Sequence, residues 1–223
     1  MVNSIDFKKK IKKHFDVNAI YIYNPLNTRE IIKKSFFKCK KIFPRKKSLK
    51  IINVGRFVDQ KDQMTILKAL NELNKKINFH AVLVGRGILK ENFLRYIKEN
   101  NLGKKIKLIK YTDNPFKLIK QADIFVLSSK FEGLPNVLLE ATVLKKFIIS
   151  SNCPTGPREI LLNGRGGLLF KTGNHIDLSE KILFYEMNKK KCNIMFKKTY
   201  KELWRFDHKY NLEKYSNLIK NFN

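Results

Sequence analysis

The apolar positions along the chain switch repeatedly between two periods. Continuous apolar runs at Ile51-Ile52-Asn53-Val54, Ala81-Val82-Leu83-Val84, Ile106-Lys107-Leu108-Ile109, Ile124-Phe125-Val126-Leu127, Phe147-Ile148-Ile149 and Leu168-Leu169-Phe170 read as strands covered on both faces. Between the first two, Ile66, Leu67, Leu70 and Leu73 fall at helical spacing within residues 62–73. Leu89, Phe93, Tyr96 and Ile97 share one helical face, and short helices are expected after Asn114-Pro115 and over residues 156–162. Residues 176–222 read as helices, with Ile182, Leu183 and Met187 turned inward. Strands alternating with helices over short connections predict an α/β fold, a parallel sheet with helices on both faces. Ahead of it, residues 1–17 read as a short basic helix with Ile5, Phe7, Ile11 and Phe15 roughly on one side and no visible site. Residues 19–23 read as a strand stopped by the turn at Asn24-Pro25, and residues 33–47 as a solvated basic linker.

The stretch over residues 122–141, ADIFVLSSKFEGLPNVLLEA, reads as strand, loop, helix. Gly133 and Pro135 break regular structure, and Asn136 is expected to cap an apolar helix over residues 137–144. That places Glu132 in the loop and Glu140 in the first helical turn, two carboxylates on the rim of a crevice beyond the carboxyl end of a strand, where open α/β sheets bind ligands. A helix start offers unpaired N–H groups to an anion, here from Gly133, Leu134 and Asn136, while carboxylates accept hydrogen bonds from sugar hydroxyls. Pro135 has no N–H to give. Gly55 and Arg56 stand at the end of the first strand and Lys61 at the entrance to the next helix, two cations suited to a diphosphate.

At 223 residues and 43% apolar composition, the chain is long enough for one large domain with a core. No window approaches the about 18 apolar residues of a membrane span, and the basic start lacks the apolar stretch of a signal peptide, so a cytoplasmic protein is expected. Cys39, Cys153 and Cys192 show neither a disulfide framework nor metal spacing, and the histidines form no ligand cluster, so neither a metal site nor another cofactor is expected. The net charge of +28 is concentrated toward the two ends. Two readings stay open: a peripheral position on an anionic membrane surface, and a lysine-rich and asparagine-rich composition without a binding role. Charge is all that speaks for nucleic acid, and the aromatic platforms and reading helices of such proteins are missing, so no nucleic-acid partner is expected.

Several motifs in order give a further lead: Tyr23-Asn24-Pro25; Val54-Gly55-Arg56-Phe57 with Gln60-Lys61-Asp62; Leu83-Val84-Gly85-Arg86-Gly87; Asn114-Pro115; the stretch over 122–141; Cys153-Pro154-Thr155-Gly156-Pro157-Arg158-Glu159-Ile160-Leu161; and Gly166-Gly167-Leu168-Leu169. Together they resemble the retaining family-4 (group 1) glycosyltransferases of the GT-B fold, most of all the bacterial transferases that extend polysaccharide or lipid-linked oligosaccharide chains. The resemblance implies a Rossmann-like sugar-nucleotide-binding domain over residues 48–188, followed by C-terminal helices over 189–223. Residues 1–47 would be a remnant of the N-terminal domain plus linker, the rest of that domain being absent or supplied as a separate partner.

It further implies transfer of a sugar, with retention and without a metal, from a nucleotide-diphosphate-sugar to a glycan or lipid-linked acceptor. Arg56 and Lys61 would bind the diphosphate and stabilise the leaving group, Glu132 would contact the donor sugar, Glu140 the ribose hydroxyls, and Tyr111 would lie near the base. Whether Glu132 is a nucleophile or orients the sugar stays open, with orientation favoured. Arg86 and Lys110 depart from the family pattern near the base. Arg158 and Glu159 have two readings, as lining of the sugar pocket or as an ion pair at a helix start. Rival functions are a donor-binding module without turnover of its own and another GT-B enzyme such as an epimerase, the latter disfavoured by the motif order.

Overall fold

The computed structural model describes residues 1–44 and 47–220. Residues 45–46 of the expected linker and 221–223 of the expected C-terminal helices lie outside the described residues. The apolar runs form β1 (Leu49–Val54), β2 (Phe79–Gly85), β3 (Ile106–Lys110), β4 (Ile124–Leu127), β5 (Phe147–Ser151) and β6 (Leu168–Phe170). They make one six-stranded sheet in the order β3-β2-β1-β4-β5-β6, with every neighbouring pair parallel.

Side chains alternate across each strand, so two separate cores explain the unbroken apolar runs. Ile51, Ile124 and Val126 pack on one face against Ile66, Leu67 and Leu70 of α3 (Gln63–Leu73), Phe93 of α4 (Lys90–Glu99) and Ile182 of α8 (His175–Met187). Ile52, Phe125 and Leu127 pack on the other face, against Ile119 of α5 (Phe116–Ile119) and Leu138 and Leu139 of α6 (Asn136–Val143). Helices on both faces of a Rossmann-like parallel sheet are thus observed as expected. The strand order reverses between β1 and β4, so their carboxyl ends border an open crevice.

Four expectations require correction. Residues 19–23 form no strand: Tyr21 makes only an isolated bridge to Val2, because the segment crosses the domain instead of joining the sheet. The helix α2 (Thr28–Ser35), capped by Asn27 accepting from the Glu30 N–H and anchored by buried Ile31, takes in the first three residues of the expected linker over 33–47. The basic helix expected over residues 1–17 is present as α1 (Ile5–Phe15); none of its residues is buried, and Phe15 is 75% exposed. Met187, expected inward, is also 75% exposed at the last turn of α8. Asn136 is the first residue of α6 rather than its cap, which is Pro135, so Glu140 lies just past the first turn. The short helix over 156–162 appears as α7 (Pro157–Ile160), and α9 (Lys189–Lys201) and α10 (His208–Lys220) complete the C-terminal part.

The two ends of the chain meet on the α6 side of the sheet. Leu26 N–H donates to the Phe206 carbonyl at 2.8 Å, and the Tyr23 and Phe206 rings lie 4.6 Å apart. The Glu159 carboxylate of α7 accepts from the Ile5 and Asp6 N–H groups at the start of α1 and from the Tyr23 hydroxyl. A carboxylate at a helix start satisfies free donors and favours the positive end of the helix dipole, so Glu159 ties α1 to the domain.

Candidate functional site

A cavity of about 460 Å³ opens at the carboxyl ends of β1, β2, β3 and β4. Gly55, Arg56 and Lys61 line it from the β1 side, and Glu132, Leu134, Asn136 and Glu140 from the loop after β4 and from α6. Arg86 and Tyr111 close the far end, beyond β2 and β3. Residues up to 86 positions apart in sequence (Val54 and Glu140) therefore line one cavity. Of the residues assigned from sequence to donor binding, Gly133 stands off the cavity: its carbonyl accepts from Thr155 Oγ1 at 3.1 Å, and a side chain there would point at Asn3.

Lys61 Nζ donates to Glu132 Oε1 at 2.6 Å, and the two side chains are 19% and 9% exposed. Ser129 Oγ donates to the same oxygen at 2.6 Å. Arg56 is exposed, with Nη2 3.5 Å from Gln60 Oε1, while Gln60 Nε2 donates to the Phe131 carbonyl at 3.0 Å. The two charged loops are thereby joined across the crevice, and a further ion pair, Lys130 Nζ to Asp59 Oδ1 at 2.6 Å, joins them at the surface. From beneath, the buried Gln63 side chain donates to the Arg56 carbonyl at 2.9 Å.

The Glu132 loop has a second support behind it. Its N–H donates to the Pro154 carbonyl at 2.7 Å, and Thr155 N–H donates back to the Glu132 carbonyl at 2.9 Å. The close approach depends on Gly156, with φ of 88°, where an added Cβ would sit 2.3 Å from the Gly133 carbonyl oxygen. At the opposite wall, a Cβ on Gly85 would sit 2.0 Å from the Gly55 carbonyl oxygen, so β1 and β2 meet at the cavity floor only because that position is glycine.

Glu140 reaches the cavity from α6; its backbone carbonyl accepts from the Leu144 N–H at 3.1 Å, while among the described residues no protein group hydrogen-bonds to its carboxylate. Burial alone pushes its pKa up to about 7. The N–H groups at the start of α6 lie beside it, and Asn136 Oδ1 accepts from Asn24 Nδ2 at 2.8 Å, which links the Asn-Pro turn to the site. At the far end the Arg86 guanidinium lies 4.8 Å from the Tyr111 ring centroid, a cation–π stack that makes a flat, polar-edged wall. Chemically, the cavity offers cations and helix-start amides for an anion, carboxylate oxygens for hydroxyls, and a flat end for a ring.

Sequence reasoning passed over three contributors. Arg86 departs from the family pattern, and the sequence alone gives it no role. Ser129 is legible in hindsight, being the hydroxyl three residues before Glu132 at a strand end. Residues 1–17, expected to carry no site, contribute Asp6 and Lys10 to a second cavity of about 340 Å³ shared with Arg158 and Thr155. Arg158 therefore does not line the main cavity: its Nε donates to Asn152 Oδ1 at 3.0 Å, and Glu159 turns to α1, so the two make no ion pair with each other. Cys39, Cys153 and Cys192 are free thiols. Among the described residues no group of three or more His, Cys, Asp or Glu side chains is placed to hold a metal ion, and no helix is long and apolar enough to cross a membrane.

A Rossmann-like parallel sheet of this order, with C-terminal helices, is shared with solved GT-B glycosyltransferases and fits a C-terminal-type domain of that fold. The family model for glycosyl transferases group 1 matches residues 35–202, and the chain belongs to that family. It is 34% identical over 172 residues, 72% of its length, to an uncharacterized glycosyltransferase of Methanocaldococcus jannaschii, covering 41% of that protein. It is 32% identical over 124 residues, 56% of its length, to a Campylobacter jejuni N-acetylgalactosamine-N,N'-diacetylbacillosaminyl-diphospho-undecaprenol 4-alpha-N-acetylgalactosaminyltransferase, covering 33% of it. The chain thus spans less than half the length of these relatives. Staphylococcus aureus TarM, solved with fondaparinux, alpha-GlcNAc-glycerol and UDP, has the same fold at a TM-score of 0.81 and 22% identity, over 97% of this chain and 43% of TarM.

Proposed function

We propose that this chain is the donor-binding domain of a retaining hexosyltransferase, which moves a sugar from a nucleotide-diphosphate-sugar to a glycan or lipid-linked acceptor in cell-surface polysaccharide assembly. The convergence of Arg56, Lys61, Glu132 and Glu140 on one cavity at the switch point of the sheet carries this reading. The family supports it, as do a relative named for a diphospho-undecaprenol acceptor and a structural neighbour solved with UDP.

In this reading Arg56, Lys61 and the amides of Leu134 and Asn136 hold the diphosphate, and Glu140 accepts from the ribose hydroxyls. The flat end at Arg86 and Tyr111 receives the base. Glu132 accepts from hydroxyls of the donor sugar and orients it. The bond between the anomeric carbon and the phosphate oxygen breaks with its electron pair going to the diphosphate, where Arg56 and Lys61 stabilise the growing charge. The acceptor oxygen bonds to the same face of that carbon and passes its proton to the departing phosphate oxygen, which preserves configuration. We take the reaction to be metal-independent, the protein's own cations compensating the diphosphate. The acceptor side is assigned to a further, N-terminal domain of such enzymes, and the lysine-rich ends to the face turned toward an anionic membrane.

The test combines the chain with UDP-glucose, UDP-N-acetylglucosamine and GDP-mannose, an undecaprenyl-diphosphate-linked sugar acceptor and, in a second arm, the N-terminal half of the Methanocaldococcus relative. NMR of the product reads the anomeric configuration. An α-linked product from these α-linked donors supports the proposal, and a β-linked product contradicts retention. Donor binding without product in either arm favours a module that does not turn over its ligand.

A further inference from the structure

Glu132 is held from two sides by groups of different character. Its Oε1 accepts from Lys61 Nζ and from Ser129 Oγ, each at 2.6 Å, while among the described residues no protein group donates to Oε2. Ser129 is fully buried just past β4. Its own carbonyl accepts from Ser151 Oγ on β5 at 2.7 Å, so the hydroxyl that grips the carboxylate is fixed to the sheet. Ser128, equally buried, donates to the Lys61 carbonyl at 2.8 Å and so holds the backbone of the other partner.

The two tethers on Oε1 respond differently to an anion in the cavity. Lys61 is a flexible cation facing the cavity, and a diphosphate competes directly with Glu132 for its charge. The Ser129 hydroxyl is neutral, buried and anchored, and a diphosphate does not draw it away. Without it, a carboxylate that lost Lys61 would be free to turn about its own side-chain bonds. We infer that Ser129 is a positioning residue, which keeps Glu132 Oε1 against the sheet while Lys61 engages the diphosphate and so presents Oε2 to the hydroxyls of the donor sugar. This rests on the donor-site reading above. Ser129 acts through Glu132 and touches no substrate itself.

The test is calorimetric titration of wild type, Ser129→Ala, Glu132→Gln and the double variant with UDP, UDP-glucose, UDP-N-acetylglucosamine, GDP and GDP-mannose. The quantity read is the affinity for a nucleotide sugar divided by that for its nucleoside diphosphate. Ser129→Ala is expected to lower this ratio about 10-fold while changing nucleoside diphosphate affinity less than about 2-fold, the size expected when one hydrogen bond to a charged group is lost. In the Glu132→Gln background, Ser129→Ala is expected to lower it no further. Ser129→Cys keeps nearly the same volume with a weak donor, and gives the same fall if the alanine variant does not fold. A ratio lowered by Glu132→Gln but untouched by Ser129→Ala and Ser129→Cys overturns the inference and leaves the donor site standing. If none of the five nucleotides binds, the donor site itself falls and the inference falls with it.

Discussion

Lys61 Nζ and Glu132 Oε1 lie 2.6 Å apart across the crevice between β1 and β4, joining two loops 71 residues apart in sequence. The pair is mostly out of solvent, at 19% and 9% exposure, so removing one partner leaves a poorly hydrated charge. Lys61→Met is expected to destabilise the fold by about 2 kcal/mol, less than for a fully enclosed pair, and Glu132→Gln in that background to recover part of the loss. Urea unfolding of the two singles and the double variant reads the coupling. Additive losses would show that the pair is held by its surroundings and not by its own attraction.

Glu140 makes stability depend on pH. Burial raises its pKa from the ordinary 4.5 to about 7, so the folded state favours the protonated form. Its stabilising contribution is therefore fully present below pH 4.5 and is lost as pH rises through about 7. Relative to wild type, Glu140→Gln is expected to gain stability across that window, by up to about 3 kcal/mol at its upper end. Unfolding curves from pH 4 to 8 check this. A difference between the two proteins that does not change with pH would show that the carboxyl is hydrated in the folded state.

The stack of Arg86 on Tyr111 forms the end of the cavity farthest from Lys61 and Glu132. If the nucleotide base rests there, Arg86→Ala is expected to weaken UDP binding about 5-fold, since a partly exposed cation–π contact contributes about 1 kcal/mol. The ratio of nucleotide-sugar to nucleoside diphosphate affinity should be unchanged, which separates this end of the cavity from the Glu132 end. Titration with UDP and UDP-glucose measures both quantities.

Glu159 holds α1 through the Ile5 and Asp6 amides and the Tyr23 hydroxyl, whose pKa burial and the neighbouring carboxylate push well above the ordinary phenol range. Glu159→Ala strips the start of α1 of its acceptors and leaves the Tyr23 hydroxyl without its partner. Amide hydrogen exchange over residues 5–15 is expected to speed up about 10-fold or more, while exchange in β1 and β4 stays slow. Unchanged exchange in α1 would show that contacts other than Glu159 hold it.

Much of this molecule was legible from periodicity. The strands read correctly because parallel strands covered on both sides must be apolar on both sides, as Ile51 and Ile52 in opposite cores illustrate. The convergence of Arg56, Lys61, Glu132 and Glu140 was legible because Arg56 and Glu132 stand in the loops after β1 and β4, and Lys61 and Glu140 in the helical segments those loops lead into. The failures share a cause, tertiary partners that no local pattern reports. α2 was hidden because Ile31 is its one buried apolar residue amid lysines. Residues 19–23 have strand composition but cross to the far end of the chain, where Tyr23 meets Phe206. The helix start at Asn136 was displaced by one residue because Pro135 takes the cap position and the Asn136 amide turns to Asn24. The roles of Ser129 and Glu159 are contacts between distant segments, visible only after folding.

Calorimetric titration of wild type and Arg56→Ala with UDP, UDP-glucose, UDP-N-acetylglucosamine and GDP-mannose tests the central claim most directly. The account predicts one site per chain for at least one of these nucleotide sugars, and a loss of about 10-fold or more in Arg56→Ala, the size expected for a charge-assisted contact to phosphate. A wild-type protein that binds none of the four, or a variant that binds as tightly as wild type, would contradict it.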